Sequence, residues 1–523
     1  MHAWQRRIPL ILFVLSTGIY LLTLQRAIYG DGIFLEPQLT AGELAYNHIL
    51  YLPLVWTVWS GIGAVVDISA ETSMKVVSAL AGGAGVALTY LIALRVLSSA
   101  LHALAAALLL MGLFGYWFHS TATEVHAVHS TCALVLCLGL SRTLDAGNAG
   151  HRLGLLTICL LFLGTVLTPA SHTSGIAMLL PIAYVAWRAR PVRGQLLIAT
   201  GAGLVVFAAG YQWLISSNPY LQTYVDNHTA KMFSILTSPG ALFPKTLGGL
   251  RECLFYALPA STVMPAGLRV LFRIAPGHGW LFLLWLVSWF LMVLPVGDFA
   301  YGSYFVPTFG VQAILAMVAF NALSTSIRRA LLLTTLPLLP ALLAVDSMDV
   351  ALLLWGAVAA WMFMMARRDV TPSPRWFLAL PVTSIALSAT FLLPMLRQDP
   401  IRDRIHAVQE TVGPTDLVFY LAPHGITYSH WRRFFPGADG PDRRALNLSL
   451  LDYPSLRPAL PDELGSRVQQ AHAGTRRLWL VGHPWSPPGG HRFREFRDLL
   501  EKKFSFDVPE GAPDDVYLLT PKH

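Results

Sequence analysis

Residues 8–24 read Ile-Pro-Leu-Ile-Leu-Phe-Val-Leu-Ser-Thr-Gly-Ile-Tyr-Leu-Leu-Thr-Leu, a run with no charged side chain. A helix needs about 20 such residues to cross the hydrocarbon core of a bilayer. Arg6 and Arg7 precede the run as in a signal peptide, but no small-residue cleavage site follows before Arg26. The run is therefore predicted to stay in place as a first membrane span. Similar runs recur as far as Pro394, which indicates a polytopic integral membrane protein.

The composition supports a membrane protein. Of 523 residues, 54% are hydrophobic and 13% are charged, about half the charged share of a soluble domain. The net charge of +8 is explained by arginines that hold loops in the cytoplasm, so no nucleic-acid partner is expected. The cysteines all fall in apolar runs, so neither a disulfide framework nor a thiolate metal site is indicated: they are Cys132, Cys137, Cys159 and Cys253.

The apolar runs predict about 13 membrane spans within residues 1–396. These spans are placed at 8–25, 74–94, 100–118, 125–141, 153–168, 173–187, 195–215, 250–268, 279–296, 304–323, 330–345, 349–366 and 376–394. Beyond them, residues 397–523 mix charged residues, proline and glycine with short apolar runs. This part is predicted to be a separate water-soluble domain.

The arginines predict the orientation. With a cytoplasmic N-terminus, every predicted inside loop is basic, whereas four outside loops carry neither Lys nor Arg: 118–124, 168–172, 297–303 and 346–349. An odd number of spans then places residues 397–523 outside the cytoplasm. The Tyr- and Trp-rich stretch 45–62, interrupted by Pro53, is predicted to form interfacial helices. The chain is expected in a plasma or inner membrane, or in the endoplasmic reticulum of a eukaryote.

Acids and histidines gather in three of the predicted outside loops, and charged groups beside a membrane favour a functional role. The loops contain Tyr29-Gly-Asp-Gly-Ile-Phe-Leu-Glu36, His119-Ser-Thr-Ala-Thr-Glu-Val-His-Ala-Val-His129 and Thr168-Pro-Ala-Ser-His-Thr173. Glycines on both sides of Asp31 leave its carboxylate open to a substrate, so Asp31 is predicted to be a general base. The alternative is that Gly-Asp-Gly only makes a turn.

Glu124 is the second catalytic candidate. If the fourth span begins near Thr123, Glu124 lies in its first turn, where it can orient an acceptor, hold a cation or simply complement the helix dipole. The histidines of these loops are substrate-binding candidates, with structural roles as the alternative. No His-Glu-x-x-His or Asp-x-Asp run occurs, so no metal ligands are assigned, although a divalent cation is not excluded.

At these residues the chain resembles the GT-C superfamily, multi-span glycosyltransferases that use polyprenyl-phosphate-linked sugars, and most closely its protein O-mannosyltransferase-like branch. The matching motifs lie in roughly the first 310 residues: Gly30-Asp31, Glu124-Val-His126, Ser171-His-Thr-Ser174 and Tyr304-Phe-Val-Pro307. Two positions depart from the family pattern. The second acid of the family lies closer to the Asp than Glu36 does, and the aromatic residue after the Glu is His126 here. No Trp-Trp-Asp-type run appears, which argues against an oligosaccharyltransferase.

The resemblance implies a cell-envelope glycosyltransferase with a polyprenyl-phosphate sugar donor from the membrane. It also implies an extracytoplasmic protein, lipid or glycan acceptor and inversion at the anomeric carbon. Asp31 and Glu124 are the predicted catalytic residues, and the substrate-binding candidates are Glu36, His48, His126, His129, His172 and Tyr304. The alternative function is a multi-span transporter or flippase. That class should show charged groups at mid-membrane and repeated halves, and the sequence shows neither.

The soluble domain alternates short apolar strands with amphipathic helices, which favours a small parallel α/β sheet. Strands are expected at 416–422, 477–482 and 516–519, with helices between them. No glycine-rich phosphate-binding run is present, so nucleotide binding is not indicated. A cover over the site, a contact with the acceptor and a purely structural role stay open. Three histidines at strand-to-loop points are weaker ligand candidates: His424, His430 and His483.

Overall fold

The computed structural model describes residues 6–30, 32–42, 48–97, 99–217, 237–293, 303–323, 378–421, 430–431, 433–435, 445–448, 460–473, 476–482, 491–510, 512–513 and 515–522. The chain divides into two compact units. The first consists of Met1–Gln25 with Leu35–Arg397, and the second of Arg26–Phe34 with Gln398–His523. The assignment of these parts as a membrane domain and an extracytoplasmic domain stays a prediction.

The first unit is helical in its described part. Its helices are α1 (Ile8–Leu22), α2 (Gly32–Ala41, which begins in the segment belonging to the second unit), α3 (Tyr51–Gly63), α4 (Ala70–Leu97), α5 (Ala100–Met111), α6 (Phe114–Thr121), α7 (His126–Ala149), α8 (Leu155–Ser171), α9 (Leu179–Arg188), α10 (Arg193–Ser216), α11 (Pro239–Phe255), α12 (Ala260–Ile274), α13 (Pro276–Val293), α14 (Val306–Ala322) and α15 (Ala379–Leu396).

Six described helices are long and apolar enough to cross a membrane, and up to eight if each of two bent helix pairs counts as one span. This confirms a polytopic helical architecture. The number of 13 spans stays a prediction, and the predicted spans at 330–345 and 349–366 lie outside the described residues.

Two predicted spans differ from straight helices. The span at 100–118 consists of α5 and α6, which meet at an angle of 62°. The break frees the carbonyl of Gly112, and the hydroxyls of Ser384 and Ser388 on α15 donate to it at 2.9 and 2.6 Å. The span at 173–187 begins as a 3₁₀ turn, Thr173–Met178. Gly175 in this turn lies so close to α8 that a Cβ would stand 2.6 Å from the carbonyl carbon of Thr168.

The predicted interfacial stretch 45–62 is described from residue 48 onward. Its helix α3 has 13 residues, and Tyr51, Leu52 and Val55 are its buried face. At 1.5 Å per residue such a helix is about 20 Å long, shorter than the ~30 Å hydrocarbon core. These side chains pack with α2, α4 and the beginning of α7 in one apolar core. The interfacial location of α3 stays a prediction.

Helix α7 is packed closely by its neighbours. Thr131 donates from its hydroxyl to the carbonyl of Ala81 on α4 at 2.6 Å. Ser130 donates to the carbonyl of Val306 on α14 at 3.1 Å. On the α8 side, a Cβ on Gly164 would stand 2.7 Å from the Cα of Leu136, so the two backbones approach at a distance that only glycine permits. These contacts fix the end of α7 that carries the candidate site.

The second unit contains a five-stranded sheet with the order β2-β1-β3-β5-β4. The strands are β1 (Leu417–Tyr420), β2 (Ala445–Asn447), β3 (Leu478–Val481), β4 (Phe504–Asp507) and β5 (Val516–Pro521), and the helices are α16 (Pro400–Thr411), α17 (Leu460–His472) and α18 (His491–Lys503). Alternate side chains of β1 enter two cores. Leu417 and Phe419 pack with α17 and α18, whereas Val418 and Tyr420 pack with α16.

The prediction of an all-parallel sheet is wrong. β1 pairs in parallel with β2 and β3, but β5 pairs antiparallel with both β3 and β4. The connection from Asp507 to Val516 is too short for the crossover of about a dozen residues that parallel neighbours require. β4 follows α18 directly, at a place where the sequence predicted no strand.

Candidate functional site

The candidate site lies at the N-terminal end of α7, where histidine rings from separate segments meet. The ring centroid of His126 lies 5.1 Å from that of His119, 5.2 Å from Tyr304 and 6.1 Å from His172. His126 begins α7, His119 belongs to α6, and Tyr304 directly precedes α14. The structure thus brings together residues that the sequence placed in separate loops.

His172 links these rings to the remaining histidines. Its ring centroid lies 5.3 Å from each of His48, His129 and Tyr304. The exposed fractions of the three histidines are 1% for His48, 1% for His129 and 6% for His172. Substrate-binding candidates at His48, His126, His129, His172 and Tyr304 therefore form one buried aromatic cluster, which we call the histidine cluster.

Two serines hold the rings of His129 and His172 in place. Nδ1 of His129 lies 2.9 Å from the hydroxyl of Ser171, and its Nε2 lies 3.2 Å from the hydroxyl of Ser174. The same Ser174 hydroxyl lies 2.7 Å from Nδ1 of His172, whose nitrogen also accepts from the Ser174 backbone N–H at 3.1 Å. Because hydrogen bonds at both ring nitrogens fix an imidazole, His129 is a rigid wall of the site.

Glu124 supplies a carboxylate to the histidine cluster. Its Oε2 lies 3.6 Å from Nε2 of His126, and the residue is 4% exposed. The prediction that Glu124 lies in the first turn of α7 is wrong, because the helix begins two residues later. The hydroxyl of Ser78 on α4 donates to the Glu124 carbonyl at 2.9 Å and fixes this extended segment. Burial among imidazoles is costly for a carboxylate unless it serves a function or is well paired.

Two buried nitrogens, one in the cluster and one beside it, have no hydrogen-bond partner in the part of the chain that the structure describes. They are Nδ1 of His126 and Nε1 of Trp289. The Trp289 ring packs edge-on against His129 with centroids 5.1 Å apart. A buried polar atom without a partner commonly marks the place of a ligand or an ordered water. The cluster therefore has hydrogen-bonding capacity left for a polar substrate.

Of the two acids in the first predicted loop, the structure describes Glu36 but not Asp31. Asp31 lies outside the described residues, and its role as general base stays a prediction. Glu36 is half-buried on α2, and its neighbour Leu35 packs in the same apolar core as Val125 and Val128 of the α7 region. The substrate-binding role of Glu36 also stays a prediction.

Sequence reasoning missed a buried cation close to the site end of α4. The ammonium of Lys75 lies 2.6 Å from Glu71, and their side chains are 6% and 15% exposed. Lys75 precedes Ser78, the residue that holds Glu124, by about one helical turn. The i,i+4 spacing of Glu71 and Lys75 at the beginning of an apolar run was the available signal.

Sequence reasoning also left the supports of the cluster unassigned. They are His119, Ser171, Ser174 and Trp289. Both serines lie in the motif around His172, but their hydrogen bonds to His129 join residues more than 40 positions apart. Within the described residues, no group of three or more His, Cys, Asp or Glu side chains has the geometry of a metal site.

The helical first unit and the small second unit together have a fold similar to that of ArnT from Cupriavidus metallidurans. Two crystal structures of ArnT from Cupriavidus metallidurans, one bound to undecaprenyl phosphate and one in the apo state, each superpose with a TM-score of 0.57. Their sequence identities are 14% and 13%, and each match covers 99% of this chain and 97% of ArnT.

A weaker similarity extends to the archaeal oligosaccharyltransferase AglB from Archaeoglobus fulgidus, in complex with an inhibitory peptide and a dolichol-phosphate. Its TM-score is 0.49 at 12% identity, over 92% of this chain and 69% of AglB. No protein-family model matches the chain. No curated protein matches it either.

Proposed function

We propose that this protein is a membrane glycosyltransferase that moves a sugar from a polyprenyl-phosphate donor to an extracytoplasmic acceptor, with inversion at the anomeric carbon. The observation that carries the proposal is the histidine cluster with Glu124, buried at the ends of helices in a GT-C fold. The ArnT structure of the same fold is bound to undecaprenyl phosphate, and this supports a lipid-linked donor here. The proposal includes the protein O-mannosyltransferase-like branch because the four motifs quoted above resemble those of that branch.

The reaction is a single displacement. A base removes the proton from an acceptor hydroxyl, the acceptor oxygen bonds to the anomeric carbon from one side, and the bond from that carbon to the phosphate oxygen breaks on the other. Polyprenyl phosphate leaves with the electron pair of that bond. In the proposal Asp31 takes the proton, and loss of such a base commonly costs about 100- to 10,000-fold in rate.

The histidine cluster and its neighbours have complementary roles in the proposal. Tyr304 and the histidines offer hydrogen bonds to the sugar hydroxyls. Glu124 orients the acceptor, because a buried carboxylate next to His126 is a strong hydrogen-bond acceptor. Lys75 is the buried cation suited to the charge that develops on the departing phosphate. Glu36 is proposed to contact the substrate from α2.

The proposed orientation follows from the loop arginines. The N-terminus is cytoplasmic, and the C-terminal part from residue 397 faces the opposite side. The site would then receive its donor from the outer leaflet and its acceptor from the extracytoplasmic space.

The test uses purified protein in lipid nanodiscs, a panel of synthetic undecaprenyl-phosphate-linked hexoses, pentoses and amino sugars, and a mixture of peptide, lipid and glycan acceptors. Release of undecaprenyl phosphate that depends on the acceptor is the readout. Asp31→Asn should lower turnover about 100- to 10,000-fold because it keeps size but removes the basic carboxylate. Asp67→Asn is the matched control, since Asp67 is an exposed acid of the same predicted outside segment. A melting curve of each variant separates lost chemistry from misfolding.

Two results would contradict the proposal. Wild-type turnover by Asp31→Asn would remove the general base from the mechanism. If the wild-type protein releases undecaprenyl phosphate from no donor but moves a lipid-linked sugar or small solute across vesicles, the transporter or flippase function replaces the glycosyltransferase.

A further inference from the structure

An early segment of the chain belongs to the C-terminal unit. Residues Arg26–Phe34 group with Gln398–His523 rather than with the helices that precede and follow them. This segment contains position 31, the predicted general base. The sequence leaves the function of the C-terminal unit open.

The first contact is an ion pair across the unit. Nη2 and Nη1 of Arg26 donate to the two carboxylate oxygens of Asp403 at 2.7 and 3.3 Å. Such a two-pronged pair fixes direction as well as distance. Asp403 lies on α16, and Ile405 and Val408 of the same helix are buried against the sheet. The segment is thus tied to the packed core of the unit rather than to another loop.

The second contact is buried. Nε2 of His430 lies 3.3 Å from the carbonyl oxygen of Ile28, so the protonated nitrogen donates to the backbone of the segment. His430 and Ile28 are 2% and 3% exposed. The next residue, Trp431, stacks on Tyr420 of β1 with ring centroids 4.5 Å apart and planes 16° apart. The segment is therefore also held next to β1, an inner strand of the sheet.

A tight turn follows the two contacts. The backbone N–H of Gly32 donates to the carbonyl of Tyr29 at 3.2 Å. Gly30 has a φ of +57°, which glycine adopts without the steric cost that a side chain brings. Only a few residues separate Ile28 from this turn, so a shift of the His430 contact would be transmitted to it directly. The geometry of the turn depends on where the C-terminal unit holds Arg26 and Ile28.

We propose that the C-terminal unit positions the catalytic loop, with Asp403 and His430 as positioning residues that hold the segment carrying Asp31. The inference rests on the proposed function for its catalytic consequence. It gives the C-terminal unit a role in turnover that neither a cover nor a spacer would have. Neither residue touches the reacting atoms.

The test compares charge reversals in the full chain. Arg26→Asp and Asp403→Arg each place like charges together, whereas the double variant restores an opposite pair. His430→Phe keeps an aromatic ring beside Phe434 but removes the nitrogen that donates to Ile28. Arg497→Asp is the control, because Arg497 pairs only within α18, with Asp498 and Glu501, among the described residues.

Two readouts are taken on each variant. The first is kcat and KM for release of undecaprenyl phosphate from the donor panel. The second is the mobility of a nitroxide attached at Phe34→Cys, a position 40% exposed, in a background where the four native cysteines are replaced by alanine. The second readout needs no substrate, so it reports the anchoring of the segment even if the donor is absent from the panel.

We expect each single reversal and His430→Phe to lower kcat about tenfold, with KM within threefold, and to raise nitroxide mobility. The double reversal should restore both values, and Arg497→Asp should change neither. Unchanged mobility and turnover in the single variants, or a double variant as impaired as the singles, would overturn the proposal. If mobility responds but the wild type transfers no sugar, the anchoring stands, and both the proposed function and the catalytic role of the anchor fall.

Discussion

The two ends of α7 contain similar residue types in very different surroundings. At the N-terminal end Glu124 faces His126 at 3.6 Å, and both are buried. Near the other end, about 29 Å from His126 along the helix, Asp145 pairs with Arg95 at 3.2 Å and lies 3.6 Å from His278. The side chains of Arg95 and Asp145 are each 35% exposed.

The difference predicts that Glu124 is a functional acid and Asp145 a structural one. A guanidinium stays charged at any physiological pH, so Asp145 has a permanent counter-charge and access to water. Glu124 is 4% exposed, and its carboxylate lies 3.6 Å from the imidazole of His126, a group without the permanent charge of a guanidinium. Keeping a carboxylate there costs folding free energy that a purely structural role would not require.

The largest loss of turnover is expected from a substitution at the buried N-terminal end of α7. Glu124→Gln keeps the shape and removes the charge, so we expect about 100-fold lower turnover, equivalent to about 2.7 kcal/mol of transition-state stabilisation. Sugar-transfer kinetics on the purified variant measure it, beside a melting curve. Turnover within threefold of wild type would mean that the two ends of α7 are functionally alike and that Glu124 is structural.

An intermediate effect should come from the middle of α7. Gly164→Ala places a methyl group against the backbone of Leu136, and overpacking of this kind costs about 1–3 kcal/mol. The helices α7 and α8 would separate, which loosens both ends together. The free energy of unfolding in mixed detergent micelles measures the loss. Gly201→Ala on α10 is the control, because its Cβ would meet nothing within 4 Å and alanine favours a helix. Equal stability of the two variants would contradict close packing at Gly164.

The smallest effect should come from the exposed end. Asp145→Asn removes the ion pair with Arg95, and solvent screens a pair that is about one-third exposed, so we expect a cost below about 1 kcal/mol. Turnover should stay at the wild-type value. A drop in turnover comparable to that of Glu124→Gln would show that the comparison of the two ends is mistaken and that this end also takes part in the reaction.

The sequence predicted the helical architecture well because apolar length and loop charge are local properties. The positions of α4, α7, α10 and α14 follow directly from their apolar runs. The break between α5 and α6 was not predictable, since it depends on Ser384 and Ser388, which are about 270 residues away. The direction of β5 was also predicted wrongly. β5 runs antiparallel because only a short connection joins it to β4, and the sequence did not predict β4.

The candidate site was predicted in its composition but not in its internal order. Loop position identified Glu124, His126, His129 and His172, since acids and histidines are rare beside apolar spans. Their mutual arrangement depends on hydrogen bonds from Ser171 and Ser174, which lie on a different helix from His129. His48 joined the cluster through its contact with His172, a tertiary relation that no local pattern contains.

The contact between Arg26 and Asp403 joins residues 377 positions apart, and this has a consequence for biosynthesis. A ribosome that adds about 5–20 residues per second needs tens of seconds to reach Asp403 after it has made Arg26. During that interval the early segment lacks the α16 carboxylate and the His430 imidazole that complete its unit. A nascent chain that has not yet reached Asp403 therefore lacks this contact, and the second unit forms only after its C-terminal residues have been made.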